Sequence, residues 1–117
     1  MARGRGRIIN VGGLVASGTG LPSGSVRNIG VAARAKNLAD ELGPAGINVT
    51  VVPPGNTITE RPSARTVGWP AGRASIGPGV TAAEVADVVT FLAAPRSVAI
   101  NGDPIAAGGG TPGVIYY

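Results

Sequence analysis

Apolar residues recur along this chain in three short runs. The first run, RIINVG at residues 7–12, is rich in isoleucine and valine and is bounded by glycines, which is typical of a buried parallel strand. The second run, INVTVV at residues 47–52, is rich in β-branched residues and predicts another strand, which ends at two prolines. The third run, VAINGDPIAA at residues 98–107, predicts a turn and a short strand, and Pro104 restricts that strand to a sheet edge or to a strand start.

Two helices are predicted between these runs. The first extends from about Ser25, which suits an N-cap, to Leu42, because Gly43 and Pro44 are stop signals. Its apolar positions approximate one face: Val26, Ile29, Ala33, Leu38 and Leu42.

The second helix has a clearer start. Thr81 and Glu84 have the spacing of a capping box, which predicts a helix to about Ala94 with Pro95 beyond its end. One face carries the apolar residues Val85, Val88, Val89 and Leu92.

The order strand, helix, strand, helix, strand predicts an α/β fold. Two βαβ units would place three parallel strands side by side with right-handed crossovers. Residues 56–80 show no clear period and are rich in proline and glycine, so we predict a long loop there. The length of 117 residues favours a single domain spanning residues 1–117.

Composition favours a folded core and excludes several kinds of site. Apolar residues make up 44% of the chain and charged residues 14%, which is unlike a disordered protein despite 20 glycines and 10 prolines. The chain contains no cysteine and no histidine, so disulfides, thiol nucleophiles and histidine bases are excluded. Residues 1–17 resemble a signal peptide only loosely, and no apolar run has the length of a membrane helix. We therefore expect a soluble cytoplasmic protein that is not bound to a membrane.

The net charge of +4 is concentrated at the amino terminus, where Arg3, Arg5 and Arg7 alternate with other residues. An Arg-Gly run can bind phosphates through charge and bidentate hydrogen bonds. The alternative is a solvated, frayed terminus. No aromatic residue lies nearby to stack on bases, so nucleic-acid binding is not the favoured interpretation.

Three segments resemble the carboxyl half of short-chain dehydrogenase/reductases. GRIINV at residues 6–11 resembles the strand before the family's catalytic serine, and LADELGPAGINVTVVPPG at residues 38–55 resembles a helix end, a strand and a Pro-Gly turn. Residues 81–110 resemble the last helix and the closing strand with its Gly-Gly end. The resemblance implies a partial Rossmann-like, three-layer unit of about three parallel strands and two or more helices.

The resemblance also locates the family's catalytic serine, tyrosine and lysine. These positions are occupied by Gly13, Gly24 and Asn28, so no catalytic residue is predicted. Glycine has no titratable group, and asparagine carries no charge that could stabilise a phenolate. If the alignment is shifted by one position, Ser23 or Ser25 lies near the tyrosine position and Arg27 near the lysine position.

One cofactor-binding feature of the family is retained. Pro54, Gly55, Thr57 and Thr59 fit the Pro-Gly-x-x-x-Thr stretch that contacts the nicotinamide amide, although a Pro-Gly turn with an exposed threonine explains the same residues. A second possibility, the loop at residues 18–23 with Asp40 about twenty residues on, imitates a dinucleotide fingerprint. Asp40 lies on the first helix rather than after a second strand, which argues against it.

The resemblance therefore predicts a truncated oxidoreductase relative that is inactive by itself. NAD(P) would bind only if the family function is retained together with a partner. The alternative is a non-enzymatic interaction module, because strand 7–12 would expose a hydrophobic edge. We expect this edge, together with the surface of the first helix formed by Gly30, Ala32 and Ala35, to form a homo-oligomer or to bind a complementary amino-half subunit.

Overall fold

The computed structural model describes residues 5–13, 22–55, 57–58, 74–113 and 115. The elements in chain order are β1 (Gly6–Val11), α1 (Pro22–Leu42), β2 (Ile47–Val52), β3 (Thr57–Ile58), β4 (Val80–Thr81) and α2 (Ala82–Ala93). A short 3-10 turn follows each helix, at Gly43–Ala45 and at Pro95–Ser97.

Three parallel segments lie side by side, as the sequence predicts. β1 pairs with β2 in parallel, from Gly6 opposite Ile47 to Val11 opposite Val52. On the other edge of β2, residues 102–107 form parallel bridges, and their backbone N–H groups donate to carbonyls of residues 49–53 at 2.8–3.1 Å. This third segment forms isolated bridges rather than a continuous ladder. Ile105 N–H donates to the Val51 carbonyl and Ala107 N–H to the Pro53 carbonyl, so the bond between them would need an N–H at residue 53, and proline has none.

The core lies between β2 and α1. All six residues of β2 are buried, and Ile47, Val49 and Val51 pack against Ala35 and Ala39 of α1. The residues that complete this cluster are Val31, Leu38 and Leu42.

The predicted apolar face of α1 is therefore wrong in its first half. Val26 is 72% exposed and Ile29 is 54% exposed, and Ala33 is exposed as well. The buried face instead follows residues 31, 35, 38, 39 and 42, whose spacing is helical. Ala35, expected on a surface open to a partner, is buried against the sheet.

The start of α1 also differs from the prediction. The helix begins at Pro22 rather than near Ser25, which is half-buried within the helix. Proline is favoured in the first helical turn, because its missing N–H would have no partner there. The start signal was thus the proline and not the serine.

The two crossovers pass on opposite faces of the sheet. Side chains alternate along a strand, so Asn48 faces away from the α1 side of β2, where Val49 packs. Arg7, in register with Asn48, binds the turn that follows α2, and the Asn48 amide donates to the carbonyls of Val98 and Ile100. The arrangement thus has three layers. The crossovers have opposite hands, and the prediction that both are right-handed is wrong.

The capping box of α2 is confirmed. Thr81 N–H donates to Glu84 Oε1 at 2.8 Å, and Glu84 N–H donates to Thr81 Oγ1 at 3.2 Å. The hydrogen bond from the Thr81 backbone lowers the pKa of the Glu84 carboxyl. The predicted apolar face is half-buried at its three valines and buried at Leu92.

Both ends of the predicted loop at residues 56–80 are more ordered than expected. β3 pairs with β4 in parallel, with Thr57 opposite Val80 and Ile58 opposite Thr81. A turn at residues 74–77 is held against Gly109 and Gly110, because Ser75 N–H and Ile76 N–H donate to their carbonyls at 3.0 and 3.1 Å. Two-residue strands carry too little pattern to be recognised in a sequence.

Within the described ranges, no helix combines the length and the hydropathy that crossing a membrane requires.

Candidate functional site

Two of the three family positions lie next to each other. β1 ends at Val11, and Gly12 N–H still donates to the Val52 carbonyl at 2.9 Å, so Gly13 follows the carboxyl end of the sheet directly. A Cβ built on Gly13 would lie 2.9 Å from Nδ2 of Asn28 on α1. The fold therefore brings together the positions where the resemblance expects a serine and a lysine.

Gly24, the position of the expected tyrosine, lies one turn before Asn28. Residues four apart share one side of a helix, so Gly24 and Asn28 lie on the same side of α1. Arg27 is exposed, and one step along a helix turns a side chain by about 100°. The residue beside Gly13 is thus Asn28 and not Arg27.

The chemistry available at these positions is limited to one amide. The Asn28 side chain is half-buried and can donate or accept a hydrogen bond, but it cannot transfer a proton at neutral pH. Gly13 and Gly24 supply no side-chain atoms. Among the residues that the structure describes, no group of three or more acidic residues is placed to hold a metal ion.

The predicted nicotinamide-contacting turn follows β2. Pro54 bridges to Ala107, and the Thr57 hydroxyl donates to the Gly55 carbonyl at 3.3 Å. Pro54, Gly55 and Thr57 are all half-buried, so part of each remains open to solvent. Thr59 lies outside the described residues.

The alternative glycine-rich loop is described only at its end. Residues 18–21 lie outside the described ranges, whereas Pro22 and Ser23 already belong to α1. Asp40 lies near the other end of that helix, where its carboxylate pairs with Lys36 at 2.7 Å.

The structure also shows a polar contact that the sequence analysis missed. Arg7 Nε donates to Ser97 Oγ at 3.3 Å, although 90 residues separate the two in the chain. Ser97 is 2% exposed, and its single hydroxyl proton is shared between the carbonyl oxygens of Leu92 and Ala94, which lie 2.8 and 2.9 Å from Oγ. A contact across such a separation leaves no local signal in the sequence.

Comparison with known proteins identifies a family. A family model described as Enoyl-(Acyl carrier protein) reductase matches residues 1–111. The 3-oxoacyl-[acyl-carrier-protein] reductase FabG of Vibrio cholerae is 32% identical over 94% of this chain and 47% of its own length. Dehydrogenase OXI1 of Cochliobolus heterostrophus is 36% identical over 92% of this chain and 51% of its own length. The chain thus spans about half the length of these relatives.

Solved structures show the same partial match. An oxidoreductase of the short chain dehydrogenase/reductase family from Burkholderia thailandensis superposes with a TM-score of 0.80 at 30% identity, covering 92% of this chain and 45% of that one. A gluconate 5-dehydrogenase from Burkholderia cenocepacia, solved with NADP and tartrate, shares the fold with a TM-score of 0.83 at 24% identity, covering 97% and 48%. Together with the family model, which covers nearly the whole sequence, these matches show that the chain belongs to the short-chain dehydrogenase/reductase family.

Proposed function

We propose that this oxidoreductase relative does not transfer hydride by itself. The observation that carries the proposal is the contact between Gly13 and Asn28, at the positions where the family resemblance expects a serine and a lysine. The fold places the two positions side by side, but neither residue carries the hydroxyl or the ammonium group that proton transfer would require.

The chemical argument concerns proton transfer. Reduction of a carbonyl requires a proton donor within hydrogen-bond distance of the substrate oxygen, and a positioned donor contributes roughly 10²–10⁴-fold in rate. Neither Gly24 nor Gly13 has a hydroxyl, and Asn28 has no charge with which to lower the pKa of a neighbouring phenol. An enzyme that depends on this site therefore needs groups from elsewhere.

The cofactor argument concerns the small number of contacts. Pro54, Gly55, Thr57 and Thr59 are the nicotinamide contacts that we propose, since they follow β2 in the Pro-Gly-x-x-x-Thr pattern. The family's pyrophosphate loop belongs to its amino half, which these 117 residues do not resemble. We therefore propose that NAD(P) binds only when a complementary amino-half subunit supplies that loop.

The test is an assay of the purified chain with NADPH and a 3-oxoacyl thioester, with the Vibrio cholerae reductase as the positive control. We expect cofactor oxidation by the control and none by this chain. Turnover that is retained in this chain and lost in Asn28→Ala would overturn the proposal. A fluorescence titration with NADPH measures cofactor binding separately from turnover.

A second candidate function is an interaction module, and exposed apolar residues favour it. Among the described residues β1 pairs only with β2, while Val11 is 63% exposed and Ile8 is 37% exposed. An unpaired strand edge is a template for association. On α1, Val26 and Ile29 add exposed apolar surface. The partner would be a second copy or an amino-half subunit.

Light scattering after size-exclusion chromatography tests this second candidate. We expect a mass above the 11.5 kDa of one chain, or association with an added amino half of a relative. Val11→Lys should weaken the association, whereas Ile115→Lys, at a residue that is 83% exposed, serves as the control. This function would be excluded if the chain had the mass of a monomer at all concentrations and did not bind the added amino half.

A further inference from the structure

A groove lies at the amino end of the sheet, away from the family positions. Arg7 is the second residue of β1, whereas Gly13 follows the end of that strand. Six residues of extended chain separate them by roughly 20 Å. A ligand in this groove would therefore not compete with anything bound near Asn28.

The Arg7 guanidinium is held in place by three hydrogen bonds. Its Nε donates to Ser97 Oγ, its Nη1 to the Gly6 carbonyl at 3.0 Å, and its Nη2 to the Pro95 carbonyl at 3.4 Å. All three acceptors are uncharged, and among the described residues no carboxylate forms a salt bridge with this guanidinium. A guanidinium has five N–H groups, and two of them have no acceptor among the residues that the structure describes.

Arg5 adds a second positive charge beside Arg7. Two adjoining depressions of about 190 and 320 Å³ are both lined by Arg5, Arg7 and Pro95, and none of the described residues that line them is acidic. Arg5 is exposed, and no salt bridge to it occurs within the described residues. Arg96, on the same turn as Pro95, is exposed and adds a third charge nearby.

We propose that this groove binds a compact anion with adjacent phosphate groups. Arg7 supplies donors held by the hydrogen bonds above, and the exposed Arg5 supplies the charge for the second phosphate. Arginine suits this role because its planar fork matches phosphate oxygens. The depressions lie at or below the roughly 300–1,000 Å³ of ordinary ligand pockets, which favours a diphosphate over a larger ligand.

Titration of the ¹⁵N-labelled chain with inorganic pyrophosphate tests this proposal. We expect NMR shifts at Gly6, at the Arg7 Nε–H and at Ser97. Arg5→Gln should raise the dissociation constant by roughly tenfold, the effect of losing one charge-assisted hydrogen bond. The matched control is Arg34→Gln, which removes the same charge from an exposed position on α1 and should leave the constant unchanged.

Three results would overturn the proposal. The first is an equal effect of Arg5→Gln and Arg34→Gln, which would show attraction to net charge alone. The second is a set of shifts that avoids the groove. The third is tighter binding of a single-stranded oligonucleotide than of pyrophosphate at equal phosphate concentration, which would identify a nucleic-acid surface instead. The spectra of each variant also report whether it is folded.

Discussion

Gly102 occupies a backbone conformation that few other residues adopt. Its φ is +84°, and an added Cβ would lie 3.1 Å from Lys36 Cδ and 3.4 Å from Ala39 Cβ. Gly102 N–H also donates to the Val49 carbonyl at 2.8 Å, so the residue begins the contact of the third segment with β2. Conformation and space both favour glycine here.

We therefore expect Gly102→Ala to lower the free energy of unfolding by about 1–3 kcal/mol. The matched substitution is Gly30→Ala on α1, where an added Cβ meets nothing within 4 Å. Alanine should stabilise that helix by about 0.5–1 kcal/mol. Urea denaturation of both variants checks the opposite signs, and equal destabilisation would contradict this account.

Glu84 makes part of the stability depend on pH. The hydrogen bond from Thr81 N–H holds the folded pKa of Glu84 below the ordinary value of 4.5. Between the two values the unfolded chain binds more protons, so stability rises with pH there. The contribution is complete above the ordinary value and is lost as the pH falls through the lowered one.

The variant Glu84→Gln should remove this dependence, because glutamine keeps a capping oxygen but does not titrate. Urea midpoints measured above and below pH 4.5 should differ less in the variant than in the original chain. An unchanged difference would assign the acid sensitivity to other carboxylates.

Among the elements, β2 carries the core. Val49 is 0% exposed and packs against α1. The backbone of β2 is hydrogen-bonded to β1 on one edge and to residues 102–107 on the other. We expect Val49→Ala to destabilise the fold by about 2–3 kcal/mol, through lost burial and a residual cavity. Val98→Ala is the control, since Val98 is 65% exposed. In thermal melts, the melting temperature of Val49→Ala should fall clearly below that of Val98→Ala. Similar melting temperatures would contradict the central role of β2.

The sequence predicts those elements whose signals are local. β2 and α2 are specified by a β-branched run and by a capping box, and both were found at the predicted positions. The buried face of α1 could not be assigned in the same way, because Val26 and Ile29 fit helical spacing as well as Val31 does. Which of these residues meets the sheet depends on where β2 lies, and that is a tertiary property.

The candidate site, too, could be predicted from the sequence only in part. Family resemblance located Gly13 and Asn28, and the structure then showed that the two are adjacent. The hand of the second crossover and the contact between Arg7 and Ser97 left no pattern in the sequence. Both depend on how segments some fifty to ninety residues apart meet in space.

At the scale of the whole molecule, hydrogen bonds are unevenly distributed. β2 lies between β1 and residues 102–107, whereas β3 and β4 form a separate two-residue pair. We expect the amides of β2 to exchange with solvent at least roughly tenfold more slowly than those of β3, because local opening is easier where few contacts hold the backbone. Hydrogen exchange followed by NMR measures the ratio, and equal rates would indicate that the fold opens as one unit.

The pairing of β3 with β4 also marks a place where the polypeptide can be extended. The chain leaves β3 at Ile58 and enters the neighbouring parallel strand β4 at Val80, so the two ends of the connection lie close together. The entropic cost of closing such a connection rises only slowly with its length, by about 0.6 kcal/mol for each doubling of the number of residues. A peptide tag or a whole foreign domain grafted between these strands would therefore disturb the packing of β2 very little.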